Sequence, residues 1–90
     1  MYLLIPTTRF KKDIKRFKND LEDIRKVLKI LEVKGVEGIP GKVKPHFLAG
    51  KYKNNRECHI KPERLIIWIQ IEEPKEIKLV RLGSHSDLFK

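Results

Sequence analysis

Leu65-Ile66-Ile67-Trp68-Ile69-Gln70-Ile71 is the most apolar run in the chain. A run of this length suits a strand and is short for a helix. With a period of two, Leu65, Ile67, Ile69 and Ile71 share one face and Ile66, Trp68 and Gln70 the other. Both faces are largely apolar, so the strand is expected at the centre of a sheet and covered on both sides. Just before it lies Arg56-Glu57-Cys58-His59-Ile60-Lys61-Pro62-Glu63-Arg64. Arg56 to Lys61 alternates as a strand of its own, with Cys58 and Ile60 on one face and Glu57, His59 and Lys61 on the other. Pro62 ends that strand, and Glu63-Arg64 form the turn. After the central strand, Glu72-Glu73-Pro74-Lys75-Glu76 reads as a hairpin loop, Ile77 to Leu82 as the next strand, and Gly83 as its end.

Toward the N-terminus, Tyr2 to Pro6 is a short apolar run closed by proline, and reads as a strand. Thr7 or Thr8 can cap the helix that follows. Phe10, Ile14 and Phe17 recur at i, i+4 and i+7, which is one helical face, while Arg9, Lys11, Lys12, Lys15, Arg16 and Lys18 fill the others. Asn19 or Asp20 is the expected cap of a second helix, whose apolar stripe is Leu21, Ile24, Val27, Leu28 and Leu31. Lys34 falls in its last turn and Gly35 suits the position just beyond. Gly35 to Pro45 is loop, Phe47-Leu48-Ala49 a brief strand, and Lys51 to Asn55 a polar turn.

Strand, two helices and then consecutive short-linked strands imply an α+β fold. Residues 1–90 form a single domain: an N-terminal strand, a helical hairpin, and an antiparallel meander sheet with the helices over one face. The other face, which carries His59, is expected to stay open.

The chain has 90 residues, 40% of them apolar, and a net charge of +9. Residues 42–64 concentrate the excess, with seven cationic side chains against two carboxylates. Such a balance favours a polyanionic partner. No apolar run approaches the ~20 residues that span a bilayer, and the N-terminus does not read as a signal peptide. The single cysteine, Cys58, leaves no internal disulfide and reads as core. The expected compartment is the cytoplasm. The three histidines contain no close-spaced pair that would mark a zinc site, so no metal and no cofactor are expected.

Three blocks stand out: His46-Phe47-Leu48-Ala49-Gly50; Tyr52 with Arg56-Glu57-Cys58-His59-Ile60-Lys61-Pro62-Glu63; and Arg81-Leu82-Gly83-Ser84-His85-Ser86-Asp87-Leu88-Phe89. In this order and spacing they resemble the YafQ-like branch of the RelE/ParE toxin superfamily. The resemblance covers nearly the whole chain and implies a RelE-like fold. It also implies the toxin of a type II toxin–antitoxin pair: a ribosome-dependent, metal-independent mRNA endonuclease, or mRNA interferase. Such an enzyme cuts mRNA in the ribosomal A site by attack of the 2′-hydroxyl on the adjacent phosphate. Its implied partners are that mRNA, ribosomal RNA and an acidic antitoxin protein.

In-line transfer of this kind needs a base for the 2′-hydroxyl, an acid for the 5′-oxygen and cations for the phosphate. Histidine serves as either acid or base near neutral pH. The resemblance places the acid at His85 and makes His46, His59 and Glu63 candidates for base or phosphate contact. Glu63 stands where the branch has aspartate, and Arg64 where it often has tryptophan. Lys51, Lys53, Arg56, Lys61, Arg64 and Arg81 are the candidate RNA-binding cations. Phe89 matches a terminal aromatic that packs a base. Two other functions fit the superfamily: a ParE-like inhibitor of DNA gyrase, and a non-catalytic RNA-binding relic.

Overall fold

The computed structural model describes residues 1–40, 46–48 and 50–89, without the side chains of His46, Phe47 and Lys51. Its strands form one five-stranded sheet in the order β1-β5-β4-β3-β2. These are β1 (Leu3–Pro6), β2 (His46–Phe47), β3 (Arg56–Lys61), β4 (Arg64–Glu72) and β5 (Lys75–Gly83). The helices are α1 (Thr8–Arg16), α2 (Leu21–Lys34) and a single turn, α3 (His85–Leu88). β2 to β5 pair antiparallel, as the meander requires, whereas β1 joins β5 in parallel. The fold is the expected α+β architecture, and β4 lies at the middle of the sheet. Among the described residues, no helix is long and apolar enough to cross a membrane.

Thr7 ties three elements together. Its hydroxyl accepts from the Phe10 N–H at 3.2 Å and caps α1. The same hydroxyl donates to the Val80 carbonyl at 3.1 Å, and the Thr7 N–H donates to the Leu79 carbonyl at 3.0 Å. The start of α1 is thereby pinned over β5, and Phe10 is driven into the core with no exposure at all.

The main core lies between the helices and one sheet face. Phe10, Ile24 and Leu31 pack there against Cys58, Ile66, Trp68, Ile77, Leu79 and Leu82. Burial of each large side chain is worth ~1.5–3 kcal/mol, so this face dominates stability. Gly35 ends α2 at φ 66°, and a Cβ there would lie 2.8 Å from the Tyr2 ring, so the site demands glycine on two counts.

The opposite face departs from the expected open surface. Tyr52, Leu65, Ile67 and Leu88 form a second, smaller core there. The tail folds back as α3, and Leu88 plugs that face with 1% exposure. The helical turn arises from a capping box: the Ser84 hydroxyl accepts from the Asp87 N–H, and the Asp87 carboxylate accepts from the Ser84 N–H.

Three further differences have clear causes. The expected five-residue hairpin loop after β4 shrinks to Glu73-Pro74, because pairing continues to Glu72↔Lys75. A register shift between Ile67 and Trp68 in the β4–β5 ladder breaks the expected alternation of β5, so Arg81 faces Ile67 rather than following Ile77 and Leu79. Asp20 precedes α2 as expected but makes no side-chain cap. Its carboxylate instead accepts from Lys61 Nζ at 2.6 Å and from Arg64 Nε at 2.8 Å.

Candidate active site

β3 and the tail meet beside the second core, and there the structure brings two histidines together. The His59 and His85 rings are stacked, with centroids 5.6 Å apart and planes 19° from parallel. His59 is half-buried on β3, and His85 is exposed at the first position of α3. Twenty-six positions of chain separate them, yet the capping box and the Leu88 plug hold α3 where His85 reaches β3. The third histidine, His46, lies in β2 with Glu57 as its backbone partner, and its side chain lies outside the described residues.

The Lys61 carbonyl offers His59 one backbone partner. Nδ1 sits 3.3 Å from the Lys61 carbonyl oxygen, which can only accept. In the tautomer that donates from Nδ1 to this oxygen, Nε2 keeps the lone pair. Such a lone pair suits a base or a ligand.

Glu57 completes the cluster, and sequence reasoning missed its part. One carboxylate oxygen of Glu57 and one ring nitrogen of each histidine all lie within 4.8 Å of one another. Glu57 is buried, and its Oε2 has no hydrogen-bond partner among the described residues. A buried, unmatched carboxylate oxygen is costly unless something charged completes it at some stage of function. The parity of β3 was the available signal, since Glu57 and His59 share a face.

The remaining candidates divide by what they touch. Glu63 is exposed at the β3–β4 turn and shares a cleft of about 550 Å³ with His85. Lys53 is exposed, and Arg56 is half-buried on β3. The Lys51 side chain lies outside the described residues. Phe89 is 40% exposed, lies edge-on to Tyr52 and has its ring 5.1 Å from that of His85, so it borders the cluster and can offer part of its face to a base.

Lys61, Arg64 and Arg81 are engaged in ion pairs within the protein. Lys61 and Arg64 both reach Asp20, and Arg64 also lies over the Phe17 ring at 3.8 Å. Hydrogen bonds from Lys61 and then Arg64 hold the Asp20 carboxyl below its usual range, and the Lys61 ammonium is raised in return. Arg81 donates twice to Asp13, at 2.9 and 3.2 Å, which raises its own affinity for the proton. Asp13 is the second residue that sequence reasoning missed. It is the one carboxylate on a helix otherwise lined with cations.

Cys58 takes no part in this chemistry. Burial, with Glu57 beside it, pushes its thiol up to about 12, so essentially no thiolate forms near neutral pH.

The fold accords with known proteins. A family model described as the bacterial toxin of a type II toxin–antitoxin system, YafQ, matches residues 2–90. A comparison with curated proteins found no match. Among solved structures, YafQ from E. coli strain BL21(DE3) superposes with a TM-score of 0.88 at 22% identity, over 100% of both chains. An E. coli DinJ–YafQ toxin–antitoxin complex gives 0.85 at 23% identity, over 99% of this chain and 98% of that one. At such identities these two matches establish the fold. A metal-bound toxin from Helicobacter pylori gives 0.84 at 38% identity, over 99% of this chain and 100% of that one. The family match over almost the entire length, on a fold that pairs His59 with His85, makes the chain a member of the YafQ family, the toxin of a type II toxin–antitoxin system.

Proposed function

We propose that this toxin is a ribosome-dependent mRNA endonuclease that needs no metal for the cut. The observation that carries the reading is the stacked His59–His85 pair. His59 Nε2 takes the proton of the 2′-hydroxyl, and the 2′-oxygen attacks the adjacent phosphorus. The bond from phosphorus to the 5′-oxygen breaks, and His85 gives that oxygen a proton. The products are a 2′,3′-cyclic phosphate and a free 5′-hydroxyl. Each proton transfer by a positioned group is worth ~10²–10⁴ in rate. Glu63, on the cleft wall beside His85, and His46, from β2, are the alternative bases. Lys51, Lys53 and Arg56 supply charge for the phosphate, and Phe89 packs a base.

The expected setting is the cytoplasm, with mRNA in the A site and ribosomal RNA against the cationic surface. An acidic antitoxin is the expected silencing partner, as the toxin–antitoxin complex of the E. coli relative suggests. Primer extension on mRNA in a translating extract tests the reading. Cleavage that requires ribosomes is the expected result. Intact message with inhibited gyrase would favour the ParE-like function, and intact message with retained RNA binding would favour the relic.

A second reading comes from the cluster itself. Glu57, His59 and His85 offer donor atoms of the kind a transition metal accepts, and the Helicobacter relative is a metal-bound toxin. An ion held there would occupy the lone pair that the base needs, so it would inhibit the proposed cut. Zinc titration by calorimetry checks this, with Glu57→Gln expected to weaken binding about tenfold or more. Equal affinity in the variant would remove Glu57 from the site.

A further inference from the structure

The cleft beside His85 extends to residues of α1 to which nothing above gives a role. Its roughly 550 Å³ are lined by His85 and Phe17, by the cations Arg16 and Arg64 and by the carboxylates Glu63 and Asp87; His59 is not among its walls. Arg64 also borders two adjoining clefts of about 350 and 340 Å³, the second of them walled by Lys15, Arg16 and Lys18. Shared walls thus lead from His85 past Arg64 to the end of α1, where Lys15, Arg16, Lys18 and Arg64 outnumber the one carboxylate, Asp20. Three contacts set the guanidinium of Arg64: the Phe17 ring, the Asp20 carboxylate and the Glu63 carbonyl. Arg16 is looser. Its side chain is 60% exposed, and its contact with Asp87 is 3.5 Å long. Exposed pairs of this kind are worth ~0–1 kcal/mol, so a phosphate can take Arg16 over at little cost. Lys15 and Lys18 are exposed and make no ion pair among the described residues.

We propose that this cleft is the subsite for the nucleotide that follows the cut, and that Lys15, Arg16 and Lys18 hold the next phosphate downstream. The inference rests on the assignment of His85 as the acid. In attack by the 2′-hydroxyl, the leaving 5′-oxygen belongs to the downstream nucleotide. A group that protonates that oxygen must touch that nucleotide, and the cleft walled by His85 without His59 is where it continues. Arg64, in place of the family's frequent tryptophan, offers the base a planar cation already braced on Phe17. The 3′ phosphate of the same nucleotide then meets the end of α1, where the surplus cations stand.

The test uses the whole protein and two uncleavable probes at low salt. One is a mixed-sequence dinucleotide with a 2′-O-methyl group at the cut position; the other is the same compound with an added 3′ phosphate. Affinity is read by calorimetry, and the histidine, Phe17 and Ser84 resonances by NMR. The 3′ phosphate should tighten binding about fivefold, as expected for one added charge-assisted contact. Lys15→Glu with Arg16→Glu should abolish that gain and leave the shifts of His59 and His85 intact. Lys34→Glu, at the far end of α2, should keep the gain. Both altered positions on α1 are exposed, and matching circular dichroism and melting confirm that the variants fold. A gain that survives in the α1 variant overturns the subsite, as does one reproduced by free inorganic phosphate. If both probes shift the histidines but the added phosphate changes nothing, the subsite falls and the nuclease reading stands. If neither probe shifts them, the subsite falls, and the nuclease reading stands or falls by the cleavage assay in the translating extract.

Discussion

Asp13→Ala should be among the most damaging single substitutions to a charged residue in this protein. β1 ends at Pro6, opposite Leu79, so nothing in the sheet is left to accept from the Leu82 N–H on that side. Asp13 Oδ2 takes that N–H at 2.9 Å and the Nε of Arg81 at 2.9 Å, while Oδ1 takes a second guanidinium N–H at 3.2 Å. Removing the carboxylate leaves a buried N–H unpaired, at ~1–3 kcal/mol. It also leaves Arg81 without its counter-charge, which costs ~3–5 kcal/mol in a fully buried pair. Arg81 is 18% exposed and regains some water, so a total of ~3–4 kcal/mol is expected. For a domain of this size that lowers the melting temperature by at least ~12 °C. Asp13→Asn keeps an acceptor for Leu82 and should lose about half as much. Urea unfolding of both variants, with Arg81→Met and the double variant, closes the cycle, and a coupling of ~1–3 kcal/mol is expected. A loss below ~0.5 kcal/mol for Asp13→Ala, or no coupling to Arg81, would refute the reasoning.

Acid should unfold the protein partly through Asp20, whose carboxyl the folded state holds below its usual value; its contribution is present above about pH 4 and disappears as the pH falls through the lowered value. Asp20→Asn should flatten the fall in urea midpoint between about pH 5 and 2, and a wild-type-like slope would count against the Lys61–Asp20–Arg64 clasp. Phe10→Ala should cost ~3–5 kcal/mol by opening a cavity under α1, measured by the same unfolding assay; a loss under ~1 kcal/mol would contradict its complete burial. Cys58 should resist thiol reagents at pH 8 until urea unfolds the chain, and prompt labelling of the native protein would contradict a thiol raised to about 12.

Local pattern made most of the fold legible. β4 was recognisable because both of its faces are apolar, and α1 because Phe10, Ile14 and Phe17 mark one helical side. Gly35 marked the end of α2 for the conformational reason found in the structure. What stayed hidden depends on partners distant in sequence. Asp20 looks like a helix cap until Lys61 and Arg64, more than forty positions away, draw its carboxylate aside. Arg81 looks aligned with Ile77 and Leu79 until a bulge in the ladder turns it. α3 is too short to show a helical period, although Ser84 and Asp87 already spelled its capping box. No spacing rule brings His59 to His85; only the resemblance to the toxin family suggested it. Their approach to Glu57 likewise reveals a possible ligand set that the linear spacing of the histidines concealed.

The central claim is that the two stacked imidazoles perform the proton transfers of RNA cleavage. Single-turnover cleavage of a defined message in a translating extract, with wild type, His59→Ala and His85→Ala, tests it most directly. Each substitution is expected to slow the cut by ~10²–10⁴ without changing the melting temperature, and the wild-type product should end in a 2′,3′-cyclic phosphate. Cleavage by either variant at the wild-type rate would contradict the account.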